Sequence, residues 1–281
     1  MTAEMAEMAD LRMVVTGGGA GIGRATALLA ARRGAQVSVL DRDGDRADAV
    51  AMEIGEAGGR ASAIRCDVAD ETSVRAAIER SAGAMGGIDV LHCNAGITDA
   101  IASPDASVDG LSLTAWDAVF AVNVRGVLVG VQAALPHLRA STRAAVVTAA
   151  SIAASHARPR TLAYASSKAA LVQLTRSLAL ELAPDRIRVN AYSPGMVRTE
   201  MAQRYLAASD DPRALLDRVL ENYLTDDIAD PEDVAEVACF LASERSRFVN
   251  GAVVDVDGGF AAFKATADER RVPSAGEGAR G

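Results

Sequence analysis

The sequence of 281 residues predicts a doubly wound α/β fold, one parallel sheet with helices on both faces. Three observations predict it. Short β-branched runs alternate with longer helical runs from Leu11 to Val256, the pattern of successive βαβ units. A glycine cluster separates the first strand from the first helix. Residues able to do chemistry recur just after strands, at the edge where open parallel sheets gather their ligands. No linker divides the chain, so one domain is expected over 11–260. Residues 1–10 form an acidic extension, and 264–281 read as a polar, small-residue, disordered tail.

Leu11 to Thr16 suits a buried first strand. The glycine cluster Thr16–Gly23 (TGGGAGIG) then opens a helix reaching about Arg33. Amides without helical partners and the positive end of a helix dipole make such a turn a site for a pyrophosphate. Gly17 can turn sharply there, and Gly21 and Gly23, flanking Ile22, admit close backbone approach. The second strand, Gln36 to Leu40, ends in Asp41, 24 positions after Gly17. A carboxylate at that place accepts ribose hydroxyls and repels a 2′-phosphate, favouring NAD over NADP despite the neighbouring Arg42.

A helix from about Asp43 to Ala57 leads to strand Arg60–Cys66. Asp67-Val68 follows, and Asp67 suits either an adenine amino group or the cap of the next helix. That helix runs to about Met85, and the fourth strand, Ile88–His92, leads into Cys93-Asn94-Ala95-Gly96. Residues 97–112 read as a loop on the rim of the cleft. From Leu113 to about Leu138 the pattern is helical and apolar nearly all round, with Asn123 in its middle, a poor helix former that needs a hydrogen-bonding task. Ala144–Ala150 is the fifth strand, closing at Ser151. Helix Thr161–Leu182 is again apolar on most faces. It asks for a cover on both sides, the sheet on one and neighbouring subunits on the other. Ile187–Ala191 is the sixth strand, 196–228 a mobile, charged helical lid, Pro231 to about Ala242 a helix, and Ala252–Val256 the last strand.

Tyr164 and Lys168 stand four apart on the helix after Ser151, hence on one face. A lysine ammonium beside a phenol is expected to pull its pKa from about 10 toward neutrality, giving a general acid or base for cellular pH. Lys168 and Lys264 are the only lysines among 29 Lys and Arg residues, so Lys168 is read as functional.

Together TGGGAGIG, Asp67-Val68, the CNAG run at Cys93–Gly96, Asn123, Ser151, Tyr164-x-x-x-Lys168 and Pro194-Gly195 resemble the short-chain dehydrogenase/reductase family over about residues 11–260. Cys93 stands where members often carry a second asparagine, and the stretch from Asn94 to Asn123 is longer than usual. The resemblance implies a Rossmann-type fold and a catalytic set Asn123, Ser151, Tyr164 and Lys168. It implies that Asn94, Ala95 and Gly96 lie on the adenosine side and that Lys168 grips the nicotinamide ribose. It places Val197 and Thr199, after Pro194 and Gly195, at the carboxamide, and has Asn123 anchor a water that links Lys168 to solvent. The implied activity is NAD-dependent hydride transfer between a secondary alcohol and its ketone, by a homotetramer. The rivals are a 3-oxoacyl carrier-protein reductase and a non-catalytic dinucleotide sensor or scaffold, which would have no need of a Ser151, Tyr164 and Lys168 set.

Composition excludes other classes. The net charge of −8 disfavours nucleic acid and an acidic carrier protein as partners. Cys66, Cys93 and Cys239 share no metal-ligand spacing and read as reduced thiols of a cytoplasmic protein. No membrane span is expected, because Asn123, Arg125 and Pro136 interrupt the most apolar run. His92, His137 and His156 are not spaced for a metal, and His156 is a candidate for the pocket wall. Trp116 reads as packing. The substrate is a small-molecule alcohol or ketone whose identity the variable segments 97–112, 152–162 and 196–228 would set.

Overall fold

The computed structural model describes residues 7–262 except 208 and 226, so the expected tail and most of the 1–10 extension lie outside the described residues. The first βαβ unit is β1 (Arg12–Thr16), α1 (Gly21–Arg32) and β2 (Gln36–Asp41). Then come α2 (Gly44–Glu56), β3 (Arg60–Arg65), α3 (Glu71–Met85) and β4 (Val90–Cys93). All strand pairs are parallel and the sheet order is β3-β2-β1-β4-β5-β6-β7, with β5 (Ala145–Ala149), β6 (Arg188–Pro194) and β7 (Val253–Val256) completing it. Order reverses between β1 and β4, the crevice where ligands of such sheets sit.

Alternation along each strand sends side chains to two cores. Met13 and Val15 of β1 face one, and Val14 the other. Each such fully buried side chain contributes about 1.5–3 kcal/mol. The first core lies against α1 and α10 (Pro231–Ala242), the second against α3, α6 (Gly126–Arg139) and α7 (Leu162–Glu181). Pro231 opens α10 because a proline loses nothing at a first helical position, and Asp230 and Asp233 cap it reciprocally.

Three expectations change. The rim 97–112 is not all loop: it begins with a short helix, α4 (Asp99–Ala102), whose Asp99 is fully buried. The single helix expected from Leu113 is α5 (Leu113–Phe120), a π-helical turn (Ala121–Arg125) and α6. The run Leu113–Arg139 is in fact long and apolar enough to cross a membrane by length and composition. Half of it is buried inside the fold, where the second core accounts for its apolar character. In the lid, α8 (Glu200–Ala207) and α9 (Pro212–Leu220) form, the latter capped by Asp211 accepting from Ala214 N.

Candidate active site

The carboxyl ends of β1, β2, β4, β5 and β6 open on a cleft of about 310 Å³. Gly17, Gly21, Ile22, Asp41, Asp67, Val68, Asn94, Ala95, Gly96, Tyr164, Lys168, Pro194 and Thr199 all line it. Gly23, Asn123, Ser151, Gly195 and Val197 lie off this wall, each for a visible reason.

Gly17 has φ +63°, and a Cβ on Gly23 would stand 2.1 Å from the Gly17 carbonyl oxygen, so Gly23 serves the fold of the turn rather than its surface. The loop is then tied to β4. Asn94 Nδ2 donates to the carbonyls of Thr16 and Gly17 at 3.1 and 3.0 Å, while Thr16 Oγ1 accepts from the amides of Asn94 and Ala95. Behind Asn94, Tyr192 donates to its Oδ1 at 3.3 Å, and His92 Nε2 lies 2.9 Å from the Tyr192 hydroxyl. Burial pushes the His92 pKa down to about 3, so this ring is neutral and structural. The result is a rigid, amide-lined turn at a helix N-terminus, able to hold a pyrophosphate.

Asp41 Oδ2 accepts from Gly19 N at 2.9 Å and Oδ1 from Asp43 N at 3.0 Å, which fixes its carboxylate on the cleft edge. Asp70, not Asp67, caps α3 through Thr72 N, leaving Asp67 at the cleft. Across the outer mouth, Arg46 holds both oxygens of Glu200 at 3.0 and 3.1 Å, clasping α2 to the lid.

At the other end stand Ser151, Tyr164 and Lys168. Ser151 follows β5 by two residues with extended backbone, and its hydroxyl accepts from Ala153 N at 3.1 Å, starting a 3₁₀ turn (Ile152–Ala154). Lys168 is buried, donates to Ala149 O at 2.6 Å and sits 5.6 Å from the Tyr164 ring centroid. Burial lowers the Lys168 pKa to about 8. Burial also raises the Tyr164 phenol above its ordinary value, an effect that the interaction with the Ser151 hydroxyl opposes. The expected drop toward neutrality is therefore corrected: in the polypeptide itself, desolvation of a phenolate outweighs what the neighbouring side chains return. Asn123 is fully buried in the π turn, its Oδ1 accepting from Ile97 N and its Nδ2 donating to Ile97 O and Ser167 Oγ. Gly96 lies between Asn123 and Lys168: a Cβ there would stand 3.4 Å from both Asn123 Oδ1 and Lys168 Nζ. Val197 pairs as a β-bridge with Ala229 and holds the lid's base, and Gly195 admits the Tyr223 hydroxyl.

One residue of this site escaped the sequence. Asp99 accepts from the amides of Ala163 and Tyr164, both at 2.8 Å. It caps the first turn of α7 from 64 residues away, while Thr161, the residue in N-cap position, turns its hydroxyl to Arg158 O. Nothing local marks Asp99, since Thr161 reads as an adequate cap. His156 packs edge-on against Phe260, and Trp116 stacks on Phe120 as packing. Among the described residues no cluster of metal-ligating side chains occurs.

A family model described as enoyl-(acyl carrier protein) reductase matches residues 17–261. The chain is 40% identical over 89% of its length to a cis-4-hydroxycyclohexanecarboxylate dehydrogenase of Sinomonas cyclohexanicum, covering 96% of that protein. A short-chain type dehydrogenase/reductase from Mycobacterium marinum superposes with TM-score 0.81 and 33% identity over 92% of this chain and 98% of that one. A 3-ketoacyl-(acyl-carrier-protein) reductase from Brucella melitensis, complexed with NADH, gives TM-score 0.80 and 32% identity over 90% and 99%.

Proposed function

The chain belongs to the short-chain dehydrogenase/reductase family, and we propose that it interconverts a secondary alcohol and its ketone with NAD(H), Tyr164 acting as general acid/base. The observation that carries this is that Tyr164 and the one lysine of the described core line a glycine-floored cleft, with the Ser151 hydroxyl bonded to the Tyr164 phenol behind it. The residues fit a nicotinamide dinucleotide. The turn after β1 has the close backbone approaches of a pyrophosphate cradle, with Asp41 at the ribose end and Lys168 and Thr199 at the other. When bound, that cofactor supplies the hydride acceptor or donor. The protein's own part is positioning and proton transfer. In the oxidative direction the Tyr164 oxygen takes the alcohol proton while the Ser151 hydroxyl holds the same substrate oxygen. Lys168 secures the nicotinamide ribose, Asn123 supports a water path from Lys168, and Pro194 and Thr199 frame the carboxamide, with Gly195 and Val197 holding the segment behind them.

NAD is favoured over NADP because the fixed carboxylate of Asp41 faces the ribose position. The nearby guanidinium of Arg46 is engaged by Glu200. A homotetramer is proposed from the exposed outer row of α7, where Leu162 and Leu180 face solvent at 40% and 79%. Light scattering would count its subunits. Three buried thiols, Cys66, Cys93 and Cys239, support a cytoplasmic setting.

Tyr164→Phe keeps the ring and removes the proton carrier. With the variant, turnover of secondary alcohols should fall by about 10²–10⁴ with NADH affinity retained. The same assay run with NADP should be the slower one. Unchanged turnover sinks the assignment, and a preference for NADPH sinks the reading of Asp41. The Brucella reductase favours a second reading, reduction of a 3-oxoacyl thioester. Faster turnover of an acetoacetyl thioester than of any simple alcohol would establish it.

A further inference from the structure

The segment between Ser151 and Tyr164 carries His156, Arg158 and Arg160 within five positions, in a chain of net charge −8. Arg160 is exposed and acts electrostatically on Asp105 across the rim. Arg158 is different. It is half-buried, and its guanidinium carbon stands 5.4 Å from the centroid of the Phe260 ring. His156 and Tyr223 meet the same ring edge-on at 4.9 and 6.0 Å. Tyr223 in turn accepts from Met196 N and lies against Gly195, so the cluster joins the Ser151–Tyr164 segment to the base of the lid. The two segments it joins run on into Tyr164 and back to Pro194, which line the same cleft.

The cluster is held in place without neutralising its charge. Thr161 Oγ1 donates to Arg158 O at 2.7 Å, fixing the backbone ahead of Pro159. Phe260 is set by the turn at Asp257, whose carboxylate accepts from the amides of Gly259 and Ala261 at 2.9 and 2.8 Å. Among the described residues no carboxylate lies within ion-pair distance of Arg158. A weakly hydrated guanidinium, seated on an aromatic face in a partly desolvated wall, is a fork for a planar carboxylate. We propose that the alcohol taken by this site carries a carboxylate, which Arg158 holds while Ser151 and Tyr164 hold the reacting oxygen. The proposal rests on the alcohol–ketone reading above and names its substrate class.

Calorimetry on the enzyme saturated with NADH reads the anion site without turnover, using cyclohexanecarboxylate as probe and cyclohexanecarboxamide as its neutral match. The acid should bind at least about tenfold more tightly than the amide, the scale of one charge-assisted pair. Arg158→Gln should remove that difference, Arg158→Lys should keep part of it, and Arg160→Gln should leave it within about twofold. In turnover, Arg158→Gln should raise KM for 4-hydroxycyclohexanecarboxylate with little change in kcat. Equal binding of acid and amide by the wild type, or an undiminished preference in Arg158→Gln of wild-type thermal stability, overturns the proposal. Arg158-dependent carboxylate binding with no alcohol oxidised would keep the anion site and overturn the reaction. Oxidation of cyclohexanol as fast as of its 4-carboxylate would do the reverse.

Discussion

At Tyr164 two effects of opposite sign meet. Burial raises the phenol, and the contact with Ser151 lowers it, with burial the larger. Lys168, at about 8, remains mostly an ammonium at neutral pH but begins to lose its proton just above it. A proton-transfer pair set this way works as an acid at neutral pH and as a base only at higher pH. Alcohol oxidation needs the phenolate, so its kcat/KM should rise with pH and keep rising above about 8, while ketone reduction, which needs the neutral phenol, should hold level until the pH passes the raised phenol value. The apparent pKa will belong to the coupled pair rather than to either residue. Rate profiles in both directions check this, and flat profiles from about pH 6 to 10 would remove proton transfer from Tyr164. The pairing itself was legible, because i and i+4 on a helix fix neighbours whatever surrounds them. The sign of the shift was not, since desolvation depends on β5, α7 and the rim closing over the pair.

The element proposed to carry the chemistry, α7, is positioned from outside itself. Asp99 takes the amides of Ala163 and Tyr164, so the height of the Tyr164 ring along the cleft is set by α4 rather than by α7's own flank. Asp99→Asn offers one acceptor oxygen to two amides. It should lower stability by about 1–2 kcal/mol and kcat about tenfold or more through misplacement of the phenol. NADH affinity should stay unchanged, because the glycine turn is anchored separately by Asn94. Stopped-flow binding and steady-state rates separate the two, and a loss of NADH affinity equal to the loss of kcat would make Asp99 merely structural. The strands and long helices were readable because their patterns run over many residues. A four-residue helix such as Asp99–Ala102 has no period to read, and the π turn around Asn123 inserts a residue without altering composition.

For the molecule as a whole, function and stability sit on opposite edges of one sheet. The carboxyl edge carries the cleft, and the amino edge carries an anchor that the sequence did not announce. Asp89, 2% exposed, accepts from Arg12 Nε, Nη2 and backbone N at 2.7–2.9 Å and from Ser141 Oγ at 2.6 Å. It ties the start of β1 to the strand beside it and to the turn before β5. Its legibility was nil because the partners lie 77 and 52 positions away. Burial raises this carboxyl, but the bonds from Arg12 and Ser141 outweigh burial and hold it below the ordinary carboxylate range. A carboxylate depressed by folding contributes stability at pH values above its unfolded pKa of about 4, and that contribution disappears as pH falls through the folded value. Asp89→Asn should therefore lower stability at pH 7 by about 2 kcal/mol, the scale of losing charge-assisted bonds to a guanidinium that stays partly exposed. The variant's unfolding free energy should also fall less steeply than the wild type's below about pH 4. Because the anchor is at the far end of the strands, kcat of the folded variant should stay within about twofold of wild type. Denaturant melts across pH, set beside steady-state rates at pH 7, test both halves. A variant that keeps its stability but loses turnover would show that the two edges are not independent, and that the sheet transmits strain from its anchor to Tyr164.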